Sequence, residues 1–178
     1  MHISNLRRVL AILVGLVAAG CSSDKTGDCP TITGITDAAI QTVFRPGTTQ
    51  DPSNVLYTAE IIGVTGTCDI DTKEHTADSR LDVSFRVTRA PSGGAAHYTI
   101  PYFVAVTVGS ERILARRNYS VAIVFEPGQT TATASEHVES ATLHTDKDKQ
   151  PYDYQVLVGL QLTREQLKYN RQSGHYGS

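Results

Sequence analysis

Leu81-Asp82-Val83-Ser84-Phe85-Arg86-Val87-Thr88 alternates apolar and polar side chains without a break. Successive side chains of an extended chain point to opposite faces. A period of two therefore gathers Leu81, Val83, Phe85 and Val87 on one side and leaves Asp82, Ser84, Arg86 and Thr88 in water. A helix would scatter the same residues around its circumference. The stretch is a half-buried β-strand, and its apolar face requires an opposing layer to cover it.

The period recurs outward in both directions. Toward the C-terminus, Pro91-Ser92-Gly93-Gly94 makes a turn, and Tyr98, Ile100, Tyr102, Val104, Val106 and Val108 follow at period two. Pro101 lies inside that run and removes a ladder donor, which points to an edge or a bulge. Gly109-Ser110-Glu111 breaks the chain before Ile113, Leu114, Tyr119, Val121, Ile123 and Phe125, and Pro127-Gly128 turns it again. Residues 130–143 form a weaker Thr/Ala-rich strand region, Asp146-Lys147-Asp148-Lys149 is a charged turn, and Tyr152, Tyr154, Val156, Val158, Leu160 and Leu162 line a last strand.

Toward the N-terminus, residues 55–68 read as a long strand with a fault. Val55, Tyr57, Ala59 and Ile61 share one face, after which apolar parity passes to Ile62, Val64 and Cys68. One extra residue near Ile61-Ile62-Gly63 produces this shift, as in a β-bulge. Residues 69–78 read as a polar loop and residues 45–53 as a loop dense in breakers. Residues 37–44 stay open between a helical turn and a strand end, and Ile32 and Ile35 mark a short first strand. Thr163 with Gln166 three residues on matches a capping box, which predicts a helix over residues 164–171. About seven strands, closely spaced turns and no strand–helix–strand alternation predict an all-β, immunoglobulin-like β-sandwich with a short C-terminal helix. It lacks the tryptophan and the usual cysteine placement of antibody domains.

Ahead of this domain, residues 1–20 have the parts of an export signal: Arg7 and Arg8, the apolar run Val9 to Val17, then Ala18, Ala19 and Gly20. That run is far short of the roughly 20 residues needed to span a bilayer. Leu16-Val17-Ala18-Ala19-Gly20-Cys21 resembles the bacterial lipoprotein signal, the lipobox, with Ala18 in place of the commoner leucine. The resemblance implies cleavage before Cys21 and acylation of Cys21 on its sulfur and its new amine. Two or three acyl chains hold a protein stably in a membrane where one does not. It also implies, with Ser22 rather than Asp after the cysteine, sorting to the periplasmic face of the outer membrane. Cys29-Pro30, Phe44-Arg45-Pro46-Gly47, Pro101-Tyr102-Phe103-Val104-Ala105-Val106, and Leu157-Val158-Gly159-Leu160-Gln161-Leu162-Thr163 running into Gln166-Leu167 and Tyr169-Asn170-Arg171 resemble a family of uncharacterised alphaproteobacterial lipoproteins. Leu160 stands where phenylalanine is expected. This resemblance covers most of the mature chain and implies export, anchoring and domain extent, with no catalytic residue to transfer.

The expected organisation is a signal peptide over 1–20, lipidated Cys21 with a polar tether over 21–28, the sandwich over 29–171, and a disordered tail over 172–178. Loss of Arg7 and Arg8 with the signal leaves 14 basic against 18 acidic residues, a net charge of −4 with histidines neutral. No basic run or aromatic–basic interleaving marks a nucleic-acid binder. With Cys21 assigned to lipid, Cys29 and Cys68 remain, in a compartment where disulfides persist. A bridge closing a loop of about 40 residues is worth about 4 kcal/mol on chain entropy. The alternatives are free thiols or a metal, for which no CxxC or Cys/His spacing exists.

Candidate chemistry is sparse. Asp69, Asp71, Glu74, His75 and Asp78 crowd one stretch, yet the Gly and terminal Glu of a calcium loop are missing. His97, His137 and His144 have no partner at ligand spacing, and no Gly-x-Ser-x-Gly or reactive-cysteine context is present. No catalytic residue, metal or cofactor is expected. Arg164, Lys168 and Arg171 recur at helical spacing as a possible interaction stripe or a solvated face. Three classes of function stay open. The first is a non-catalytic module that docks onto an envelope protein through a sheet edge or the terminal helix. The second is a small-ligand or glycan-binding module with an aromatic platform of Tyr98, Tyr102, Tyr152 or Tyr154. The third, an enzyme, requires convergent carboxylates or histidines in a cleft. Mass spectrometry of the membrane-extracted protein should find an acylated N-terminal Cys21, and Cys21→Ser should abolish incorporation of labelled palmitate; an unmodified wild-type cysteine refutes the anchor.

Overall fold

Two β-sheets face each other in the computed structural model of the chain, which describes residues 29–71, 73–91, 94–109, 112–139 and 142–174. The expected signal, Cys21, the tether and residues 175–178 lie outside the described residues. One sheet runs in the order β1 (Thr31–Gly34), β9 (Tyr154–Leu160), β5 (Ala96–Val108), β6 (Arg112–Phe125), with β1 parallel to β9. The other runs β2 (Ile40–Phe44), β3 (Val55–Asp71), β4 (Thr76–Arg89), β7 (Thr131–Glu139). The two-residue strand β8 (Leu143–His144) pairs with β4 beyond the end of β7. A single helix, α1 (Arg164–Ser173), follows β9.

The expected sandwich with a C-terminal helix is present, with nine strands rather than about seven. The additional ones are short. β2 comes from the ambiguous stretch after a 3-10 turn at Thr36–Ala38, and β8 from the end of the Thr/Ala-rich region. The stretch 69–78, expected as a loop, is mostly the tip of a hairpin in which Asp71 pairs with Thr76.

The core lies between the sheets. Leu81, Val83, Phe85 and Val87 are all fully buried, as their alternation requires, and face Ile100, Tyr102, Val121, Ile123 and Val158 of the other sheet. The rings of Phe85 and Tyr102 meet across the gap at 5.0 Å between centroids. Truncating a buried aromatic of this kind costs roughly 3–5 kcal/mol.

Irregularities fall where the sequence placed them, with two corrections. The register of β3 on β4 slips between Ile61 and Gly63, so the bulge is real. Ile62 is itself the inserted residue and is exposed rather than sharing the inward face with Val64 and Cys68. Downstream, Gly66 sits where an added Cβ would lie 2.5 Å from the Arg80 carbonyl oxygen, so this crossing admits only glycine. Pro101 occupies an interior strand rather than an edge. It pairs with Ser120 on β6, while on the other side β9 has already ended and the Pro101 carbonyl accepts from Gln161 N at 2.9 Å. The missing N–H falls where no strand remains to receive it.

Helix α1 begins with the predicted box. Thr163 Oγ1 accepts from Gln166 N at 3.2 Å and Gln166 Oε1 accepts from Thr163 N at 2.9 Å. It runs to Ser173, two residues past the expected end, because Gly174 takes the left-handed conformation that closes it.

Cys29 and Cys68 form a disulfide with Cα atoms 5.9 Å apart, which joins the chain entering β1 to β3 of the opposite sheet. The free-thiol and metal alternatives are thereby removed. Replacing both cysteines by alanine should lower the unfolding free energy by about 4 kcal/mol in chemical denaturation with the circular dichroism spectrum unchanged; a loss under about 1 kcal/mol refutes the loop-closure account.

Candidate functional site

A β-sheet ends in a row of backbone N–H and C=O groups that lack a strand partner, and natural sheets cover or blunt such rows. The edges of this sandwich are treated unequally. On one flank, β2 is covered by α1. Asn170, itself buried, donates from Nδ2 to Ile40 O at 2.7 Å, and Gln166 donates from Nε2 to Thr42 O at 3.5 Å. Tyr169 packs edge-on against Phe44 at 5.0 Å, and Arg171 pairs with Asp37 at 3.1 Å. Gln41 and Gln161 extend the amide network, donating to Gln161 O and Tyr102 O, each at 3.1 Å. The helix therefore substitutes side-chain amides for a neighbouring strand. The edge strand of the other sheet on this flank, β1, is only four residues long.

The opposite flank has no such cover among the described residues. It is formed by β6, the last strand of one sheet, and β7, the last full-length strand of the other. β6 is fourteen residues long, contains no proline, and pairs only with β5. Ile113 is 63% exposed, Val124 49% and Leu114 41%, three of the five large hydrophobic side chains exposed among the described residues. Leu114 sits at a slip in the register on β5, Ala115 pairing with Val106 and Ile113 with Thr107. Beside this bulge a recess of about 260 Å³ opens between the sheets, lined by Val106, Leu114, Leu143, His144 and Tyr154 among others.

The flank carries opposite charges on its two strands. β6 contributes Arg112, Arg116 and Arg117; β7 contributes Glu136 and Glu139. Arg112 reaches Asp146 at 3.5 Å and the Arg116 guanidinium stacks 4.0 Å above the Phe103 ring. His137 Nδ1 lies 3.0 Å from Asp82 on the outer face of the sheet.

The residues singled out from the sequence do not converge. Arg164 and Lys168 are exposed along α1, while Arg171 is engaged with Asp37. The aromatic platform is not formed. Tyr102 is 1% exposed and Tyr154 fully buried, its hydroxyl accepting from Asp146 N at 2.8 Å. Tyr98 is half-buried against Tyr57 and Phe125, at 4.5 and 5.7 Å, leaving only Tyr152 in solvent. At the hairpin tip, Asp69 pairs with Arg80 at 2.6 Å and Asp71 accepts from Lys73 N and Glu74 N, closing the turn. Among the described residues no group of three His, Cys, Asp or Glu is arranged to hold a metal, and no helix is long and apolar enough to cross a membrane.

One structural residue escaped the sequence reading. Arg89 is buried, with its guanidinium 4.4 Å from the Phe125 centroid and donating to Gln129 O, Gly94 O and Glu126 O. Continuing the parity of Leu81, Val83, Phe85 and Val87 by one step points to it.

No protein-family model matches this chain, and neither does any curated protein or solved structure.

Burial pushes the Tyr102 hydroxyl up to about 12, with the negative charges of Glu136 and of Tyr119 adding to the shift. Tyr57 is also raised, by burial and then by Tyr98. A raised acid stabilises the fold fully below its unfolded value near 10, and the contribution is lost as pH climbs through the folded value near 12. Denaturant titrations should therefore show stability falling between pH 10 and pH 12, with the fall reduced in Tyr102→Phe; equal pH dependence in the two proteins refutes the assignment.

Proposed function

We propose that the chain is a lipid-anchored, periplasm-facing envelope lipoprotein that acts as a non-catalytic docking module, engaging protein through the β6–β7 flank. The anchor rests on the Leu16-Val17-Ala18-Ala19-Gly20-Cys21 signal, and sorting to the outer membrane rests on Ser22. The docking role rests on one observation above the others: β6 is a long, proline-free edge with exposed Ile113, Leu114 and Val124 and no strand paired to its outer side among the described residues. An uncovered edge supplies main-chain hydrogen bonds to an incoming strand, and alternate side chains then select it. The contrast with β2, whose carbonyls are occupied by Asn170 and Gln166, supports a functional rather than incidental exposure.

Site-specific photo-crosslinkers at Ile113 and Val124 should trap discrete protein adducts in intact cells, while the same probe at Lys168 on α1 should not. Absence of adducts from all three positions, or equal trapping at Lys168, overturns the flank as the docking surface.

A further inference from the structure

On the basis of that docking reading, we infer that the β6–β7 flank is self-complementary and that its occupant is a second copy of this chain. The copies are related by a two-fold axis running along the strands, midway between the two edges. Such an axis lays β6 of one copy against β7 of the other and the reverse, an isologous contact that closes at two subunits. The turn at residues 126–130 joins the end of β6 to the start of β7, so the two strands run in opposite directions and pair antiparallel across the interface.

The charges agree in height. Gln129 N donates to Glu126 O at 3.1 Å across the turn, so residues equally far from Glu126 along β6 and from Gln129 along β7 stand at about the same height. Tyr119 and Glu136, each seven residues from that bond, are therefore about level. Three residues further in the same direction Arg116 and Glu139 are level, with Arg117 between them and Tyr119. A two-fold axis along the strands preserves height, so each basic segment meets an acidic one.

The faces agree as well. Glu136 shares the inward parity of Ala132 and Val138, and Arg117 that of Tyr119 and Val121. Arg116 and Glu139 share the outward parity. Docking joins each sheet of one copy to the opposite sheet of the other, so inner row meets inner row and outer row meets outer row. The competing two-fold arrangement, β6 against β6, sets three arginines against three. A nine-residue edge spans about 30 Å, and two edges roughly 10 Å apart with their side chains cover on the order of 600 Å² per copy, near the lower bound of a specific interface.

The test is sedimentation of the full-length lipidated protein in detergent. The wild type should be dimeric, with an affinity that falls as salt is raised. Arg116→Glu and Glu139→Arg, both at exposed positions, should each weaken dimerisation about tenfold. An equimolar mixture of the two should restore it, because each changed charge then faces its opposite, and Arg116→Lys should dimerise as the wild type does. Thermal melts of each variant establish that the fold is intact. A monomeric wild type at sub-millimolar concentration, or failure of the mixture to re-form dimers, overturns the inference. Crosslinked adducts at Ile113 whose mass is not twice that of the chain, alongside a monomeric purified protein, refute the second copy while leaving the docking role in place.

Discussion

The unmet hydrogen-bonding groups along the rims of the two sheets impose the constraint that organises this molecule. A sandwich can bury its faces against each other, but its four outermost strands still present backbone donors and acceptors sideways, and those groups need a protein or solvent partner. Here the two flanks answer differently. One is closed with a helix whose glutamine and asparagine side chains act as surrogate strand, together with a four-residue strand too short to recruit another chain. The other is left as two full-length strands side by side, one basic and one acidic.

The closed flank explains several sequence features that have no local reason. Gln41 and Thr42 are buried polar residues on a five-residue strand. The segment from Gln161 to Asn170 returns to this strand: Gln41 donates from Nε2 to the Gln161 carbonyl, and Gln166 and Asn170 donate to the main-chain carbonyls of Thr42 and Ile40. The capping box at Thr163 fixes where α1 begins, and so sets which residues reach the β2 carbonyls. Slipping the helix start by one residue would rotate Gln166 and Asn170 away from Thr42 and Ile40.

Legibility followed the range of the interactions. Alternation in β4, the position of the slip near Ile62 and the helix box at Thr163 are local and were legible, although the side to which Ile62 itself turns was not. β2 was ambiguous because Ile40, Val43 and Phe44 do not alternate, and the burial of Gln41 and Thr42 depends on a helix more than a hundred residues later. Tyr98, Tyr102, Tyr152 and Tyr154 recur at period two, which marks a common face without saying whether it meets water or the opposite sheet; Phe85 decides that for Tyr102. Which strand lies at an edge is a property of pairing order, and pairing order is non-local. The exposed Ile113-Leu114 pair and the Arg116-Arg117 pair were its only traces in the sequence.

The disulfide has a mechanical meaning as well. Any tension applied to the chain ahead of Cys29 is transmitted through sulfur into Cys68, near the closed end of a hairpin whose strands are paired over most of their length. The frail four-residue strand that comes next is thereby relieved of load. Antiparallel strands pulled near their axis resist as many bonds in shear, whereas a terminal strand alone would be stripped away one bond at a time. A globule hung from a moving surface by its first residues would keep its seam closed because the cable is clamped to the frame and not to the hem.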